Sequence, residues 1–414
     1  MMPANPSSKP TVVLHISRRQ TLLLALLLIA PSVLFTLYFT GWLKPHVRKE
    51  IANDTVVHCN PGPWGDLEYI RILTEPPEQQ VTANYPLRDF AVWTFKNFDQ
   101  AQFTALWQKA ELSPAQIATI NHPDNWQVAG NVTLIKVPKD IVFGLSTQSR
   151  NVIYSALSLF QENKDQNEPY RFRAEAEEEW FKDSGLKPET IEQVKRLLYR
   201  RGASVLFSDQ GLLMPTINSL EERTKLLKTL ARKSTMLVRL RIKPDTDVDA
   251  LERYWGGNRN KDISPLLRSL TGQPNGVSLD IVHLLPPFVR SHIYTYPAAR
   301  DPGSKTYMDC HWTVLNFFNR TPDRRYEDLN EVTVAFRDNY HPVTGRAKYG
   351  DIFLFALPNG DIIHSCVYIA DNIVFTKNGA TPSAPWILMT LQDVIAFYPS
   401  EQPLDIQRYR PNIL

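Results

Sequence analysis

The longest uniform stretch of the chain is apolar: 23 residues from Thr21 to Leu43 carry no charge. A bilayer core of about 30 Å needs roughly 20 helical residues, so residues 21–43 predict a transmembrane signal anchor. Residues 1–20 precede it as a tail. Residues 44–66, rich in Pro and Gly from Pro45 to Gly65, predict a tether. Lys9, Arg18 and Arg19 flank one side and Lys44, Arg48 and Lys49 the other, with Tyr38 and Trp42 at one interface. An N-in arrangement follows as the expectation, with the chain from about residue 45 exported.

Beyond the tether the pattern changes to short mixed periods. Tyr69–Leu73 alternates like a strand, and Pro76-Pro77 stops it. Phe98–Ala110 has helical spacing, Ser113-Pro114 predicts an N-cap with Pro at N1, and Val132–Val137 predicts a strand. Lys187-Pro188-Glu189 opens a helix expected to end near Gly202. Ser219 and Glu222 form a capping-box pattern, and Met236–Ile242 alternates as a half-buried strand. Residues 67–280 therefore predict a mixed α/β region, and its motifs point to no particular chemistry.

Composition narrows the classes. Of 414 residues, 43% are apolar and 21% charged, which excludes collagen, coiled coil and disorder. The formal charge of +3 is too small for a nucleic-acid footprint, so no nucleic-acid partner is expected. Three Cys without a Cys-x-x-Cys pair suggest neither a disulfide framework nor a zinc ribbon.

The chemistry concentrates in the last third. In Asp309-Cys310-His311-Trp312, the spacing of Trp312, Leu315 and Phe318 puts Cys310 in the first turn of a helix. A helix N-terminus favours thiolate, and the thiolate is the nucleophile. Fifty-four residues later His364 lies on an apolar strand, Ile362 to Ile369, that turns at Ala370-Asp371-Asn372 into Ile373–Gly379. Thr376 and Asn378 have the same strand parity, so either can face His364 as the group that orients its ring. Cys366 shares the His364 face, near enough to Cys310 for the two thiols to pair in an oxidising compartment.

These residues resemble the NlpC-type cysteine peptidases of bacterial cell walls: Asp309-Cys310 opening a helix, Gly350-Asp351 opening a strand, and His364 before Val367-Tyr368-Ile369. The resemblance covers about residues 290–400. It implies a papain-like fold, Cys310 as nucleophile, His364 as general base, Tyr296 beside the oxyanion, and no metal or other cofactor. The implied substrate is a peptide or cell-wall amide. Bulky His311-Trp312 and Cys366 stand where that family carries small residues.

The expected fold class is α+β, with an N-terminal transmembrane helix, the mixed α/β middle region, and a C-terminal papain-like domain over 281–414. In that domain a Cys-bearing helix packs on an antiparallel sheet. The expected function is a membrane-anchored, exported cysteine peptidase or amidase, or an acyl-transferring relative. The alternative is a catalytically silent, membrane-tethered scaffold that keeps the fold.

Overall fold

A computed structural model describes residues 56–81, 88–202, 204–257, 259–260, 262–298, 308–398 and 403–412. The expected fold class needs one correction. No helix among the described residues is long and apolar enough to cross a membrane, and residues 21–43 lie outside them. Part of the expected tether is also structured: Val57–His58 pairs with Tyr69 and Glu68, and Asn60 binds the Asp371 carboxylate from its backbone N–H at 3.1 Å.

The longest strand pair joins β1 (Asp66–Thr74) to β2 (Lys233–Ile242), antiparallel in continuous register from Asp66↔Arg241 to Thr74↔Lys233. Two smaller units lie between them in sequence. One is built on the hairpin of Phe90–Lys96 with Val132–Pro138 and holds a core of Trp93, Phe95, Phe103, Trp107 and Tyr154. Its buried Arg150 pairs with Asp209 at 3.0 Å and donates to the Leu145 and Val142 carbonyls, so no charge is left uncompensated. The other packs Phe172, Trp180 and Phe181 against Val205, Leu226 and Leu230.

Two sequence expectations shift here. The helix from Pro188 ends at Arg196, and Tyr199–Arg201 forms a strand against Ser204–Leu206. Gly202, at φ +58, supplies the left-handed turn between them. The Ser219 hydroxyl caps as expected, accepting from Glu222 N–H at 3.2 Å. The Glu222 carboxylate instead accepts from Lys187 N–H at 2.8 Å, tying two helices together.

The C-terminal sheet has six strands, all antiparallel. Tyr340–Pro342 forms one edge; the others are β3 (Ile352–Ala356), β4 (Ile362–Ala370), β5 (Ile373–Lys377), β6 (Trp386–Thr390) and β7 (Asp405–Pro411). Their spatial order from that edge is β7, β3, β4, β5, β6. The hairpin turn falls at Asp371, which adopts φ 49. Fully buried Asp351, just before β3, accepts two 2.7 Å bonds from Arg410 of β7. One face of the sheet carries Val367, Ile369 and Phe375 and packs on helix α1 (Cys310–Leu315) through Trp312, Val314 and Leu315. The opposite face carries Phe355, Cys366 and Val374 under Val394 of helix α2 (Leu391–Phe397).

The first of these cores also contains Leu67 of β1 and Met236, Val238 and Leu240 of β2, so it crosses the position where the C-terminal domain was expected to begin. The β2–β6 contact is sealed by Thr235, whose hydroxyl donates to Leu388 O at 3.0 Å and accepts from Leu388 N–H at 3.1 Å. Val56–Leu414 forms one compact unit.

Candidate active site

Asp309, itself extended, caps α1, its carboxylate accepting from Trp312 N–H at 2.8 Å. That cap fixes Cys310 in the first helical turn, only 7% exposed. The helix is six residues long, so its dipole is small. Burial works to raise the Cys310 thiol, but two imidazoles outweigh it. The charges of His311 and His364, and their hydrogen bonds, hold it well below the ordinary thiol range.

His364 is fully buried on β4. Its Nε2 lies 3.0 Å from Thr376 Oγ1, and the Thr376 hydroxyl donates to Asn378 Oδ1 at 3.1 Å. A hydroxyl has one hydrogen, and this one goes to Asn378. Thr376 must therefore accept from His364 Nε2–H, which leaves Nδ1 as the ring nitrogen free for the thiol. Nδ1 is buried and bound to no other side chain, and the charge and hydrogen bond of the ring favour the ionised thiol. Of the two candidate orienting residues, Thr376 touches the ring and Asn378 stands behind it, its own amide donating to Met389 Sδ at 3.0 Å.

His311, treated in the sequence as a bulky departure, is a second partner of the thiol. Burial works to lower its imidazole, but the Cys310 charge and hydrogen bond, with Asp309, take it up to about 9. Its Nδ1 lies 2.9 Å from Ser365 Oγ on the strand beneath. Both imidazoles thus favour the ionised sulfur.

Tyr398, immediately after α2, stacks on His364 at 4.4 Å between ring centroids and 23° between planes. Burial and the Cys310 charge raise its phenol well above the ordinary value, while Arg171 works against them. Phe355 borders the same imidazole at 5.4 Å. No sequence pattern singles out Tyr398, which reaches the site only through the fold. His311 had a signal, its adjacency to Cys310.

Two expected neighbours behave differently. Cys366 is a free, fully buried thiol raised well above the ordinary value by burial and by the Cys310 charge; Cys310 is free as well. Tyr296 is bound elsewhere: its hydroxyl donates to Thr74 Oγ1 at 3.1 Å. Burial takes its phenol up to about 12, with the Thr74 bond opposing and the Glu75 charge adding. The backbone at 294–295 explains the placement. Tyr294 N–H donates to Trp386 O at 2.7 Å and Trp386 N–H to Thr295 O at 3.1 Å, which pins this segment to β6 and carries Tyr296 toward the end of β1.

Among the described residues no group of three or more His, Cys, Asp or Glu side chains is placed to hold a metal ion. Comparison of the chain with protein-family models, with curated proteins and with solved structures gives no match.

Proposed function

We propose that the protein is a cysteine peptidase or amidase, with Cys310 as nucleophile and His364 as its general base. The observation that carries the reading is the relay from Cys310 through His364 to Thr376 and Asn378, with both outer hydrogen bonds near 3 Å. The Cys310 sulfur attacks the amide carbonyl. The His364 imidazolium gives its proton to the leaving amine as the C–N bond breaks, which leaves a thioester on Cys310 and a neutral imidazole. Water, deprotonated by His364 Nδ1, then hydrolyses the thioester and restores the thiolate. Thr376 holds the ring, and His311 supplies the second positive charge that keeps the sulfur ionised.

The resemblance to NlpC-type peptidases makes cell-wall stem peptides the substrate class to test. Purified protein, wild type and Cys310→Ala, is incubated with peptidoglycan fragments, and released amines are followed by mass spectrometry. Release by wild type alone is the expected result. No release from any fragment overturns the substrate class, and equal release by both proteins overturns the role of Cys310.

One observation favours a second reading, a catalytically silent binding protein: His364 is fully buried beneath Tyr398. Under that reading Cys310→Ala leaves every biochemical property intact.

A further inference from the structure

A small cavity has Asn378 in its lining. It has about 50 Å³ of room, which suits a few waters or one carboxylate-sized group and nothing much larger. Four cations line it: Arg71 of β1, Arg171 and Arg173 of the strand Tyr170–Arg173, and Lys233 at the start of β2. They face a single carboxylate, Asp393 of α2.

That carboxylate is already occupied. Arg71 Nη1 donates to Asp393 Oδ2 at 2.8 Å, and Arg173 Nη1 donates to the other oxygen. Among the described residues Arg171 and Lys233 have no acidic partner. Arg171 donates to Phe397 O and sits 5.1 Å from the Phe397 ring centroid, while its Nε is buried with no partner. The Lys233 ammonium lies 5.8 Å from the same ring. Arg201, close enough to act on Arg171 by charge, has two more buried donors without partners. Buried donors of like charge around an open volume are costly unless an anion occupies it.

We infer that this cavity is a carboxylate subsite, in which Lys233 and Arg171 bind the free carboxylate of a peptide substrate. The inference rests on the amide-hydrolase reading for its substrate. Tyr398 connects the two places, since its phenol feels both the Cys310 charge and the Arg171 guanidinium. Asn378 connects them as well, because it lines the cavity and accepts from Thr376. The cations come from segments far from Cys310 in sequence, which gives residues 67–280 a role in selecting substrate.

The charge state of Lys233 is consistent with this. Burial, then the Arg171 charge, brings its ammonium down to about 8. A group with a lowered ammonium pKa is charged below that value and neutral above it, so anion affinity falls as pH rises through about 8.

The test uses the full chain with Cys310→Ala, which removes the chemistry and leaves the cavity intact. Binding of trialanine, of its C-terminal amide and of inorganic phosphate is measured by calorimetry at pH 7. Trialanine is expected to bind at least tenfold more tightly than its amide, and Lys233→Met to weaken it about tenfold. Equal binding of acid and amide, no binding of either, or unchanged binding in a folded Lys233→Met protein overturns the subsite. Phosphate binding without trialanine binding overturns the carboxylate assignment. The acid–amide comparison needs no change in the cavity, so it decides the question even where Lys233→Met does not fold. A wild type that cleaves no amide, beside a Cys310→Ala protein that still prefers the acid, removes the hydrolase reading and keeps the subsite.

Discussion

Thr376→Val removes one oxygen and keeps the side-chain volume. Thr376 and His364 are fully buried and Asn378 is 7% exposed, so bulk water does not replace what is lost. Two hydrogen bonds disappear, one of 3.0 Å to His364 and one of 3.1 Å to Asn378. Each leaves a buried polar atom without a partner, at about 1–3 kcal/mol apiece. Asn378 borders the cavity and regains part of its loss there. The expected destabilisation is therefore about 2–4 kcal/mol, or a few degrees in Tm. The larger effect falls on reactivity. Without an acceptor at Nε2 the ring loses its hold, and a misplaced catalytic group costs about tenfold to a hundredfold in rate. Iodoacetamide alkylation of Cys310 at pH 7, read by mass spectrometry, measures this directly. Thr376→Ser keeps the hydroxyl and is the control. A Thr376→Val protein alkylated at the wild-type rate would falsify the orienting role. Equal slowing in Val and Ser variants also contradicts it, because the oxygen would then not be the cause.

His311→Gln removes one of the two charges on the thiol. Alkylation of Cys310 should then shift to higher pH, while His364 keeps it below the ordinary thiol range. The stability that the charged His311 contributes is complete below the ordinary imidazole value of about 6.5 and is lost as pH rises through about 9. Urea midpoints of wild type and His311→Gln should therefore converge from pH 7 to pH 9.5, and parallel curves would remove His311 from the ion pair. Gly350→Ala tests the approach to β3. Gly350 sits at φ +87, and a Cβ there would come within 2.4 Å of Phe318 Cζ, so about 2–4 kcal/mol of destabilisation is expected by denaturation. Cys310 reactivity at low temperature should be unchanged in that variant, and a smaller stability loss would mean that Phe318 swings clear.

Local features were readable in the sequence wherever the determining contacts are local. Asp309 caps the helix that carries Cys310 because its carboxylate reaches a backbone N–H three residues on. Strand alternation put Thr376 and Asn378 on one face with His364, although parity alone did not say which of them touches the ring. The helix from Pro188 stops at Arg196, where Gly202 and a hairpin partner outweigh helical spacing. The site's surroundings depend on contacts remote in sequence: Tyr398 reaches His364 through α2, and the cationic cavity gathers Arg71, Arg171 and Lys233 from three strands. Tyr296 meets Thr74 for the same reason, since the backbone just before it is paired with Trp386.

The central claim is that Cys310 is a thiolate poised by His364, and its pH-resolved alkylation tests that most directly. Cys59 is the internal reference: burial, then the Asp371 and Asp66 charges, takes it up to about 12. Cys366 lies well above the ordinary range too. Iodoacetamide labelling of all three cysteines is mapped from pH 4 to pH 10 in wild type and His364→Ala. The account predicts that Cys310 alone reacts far below the free-thiol value of about 8.5, and that His364→Ala slows it and moves its midpoint up. A Cys310 that titrates near 8.5, or one whose profile is the same without His364, contradicts the account.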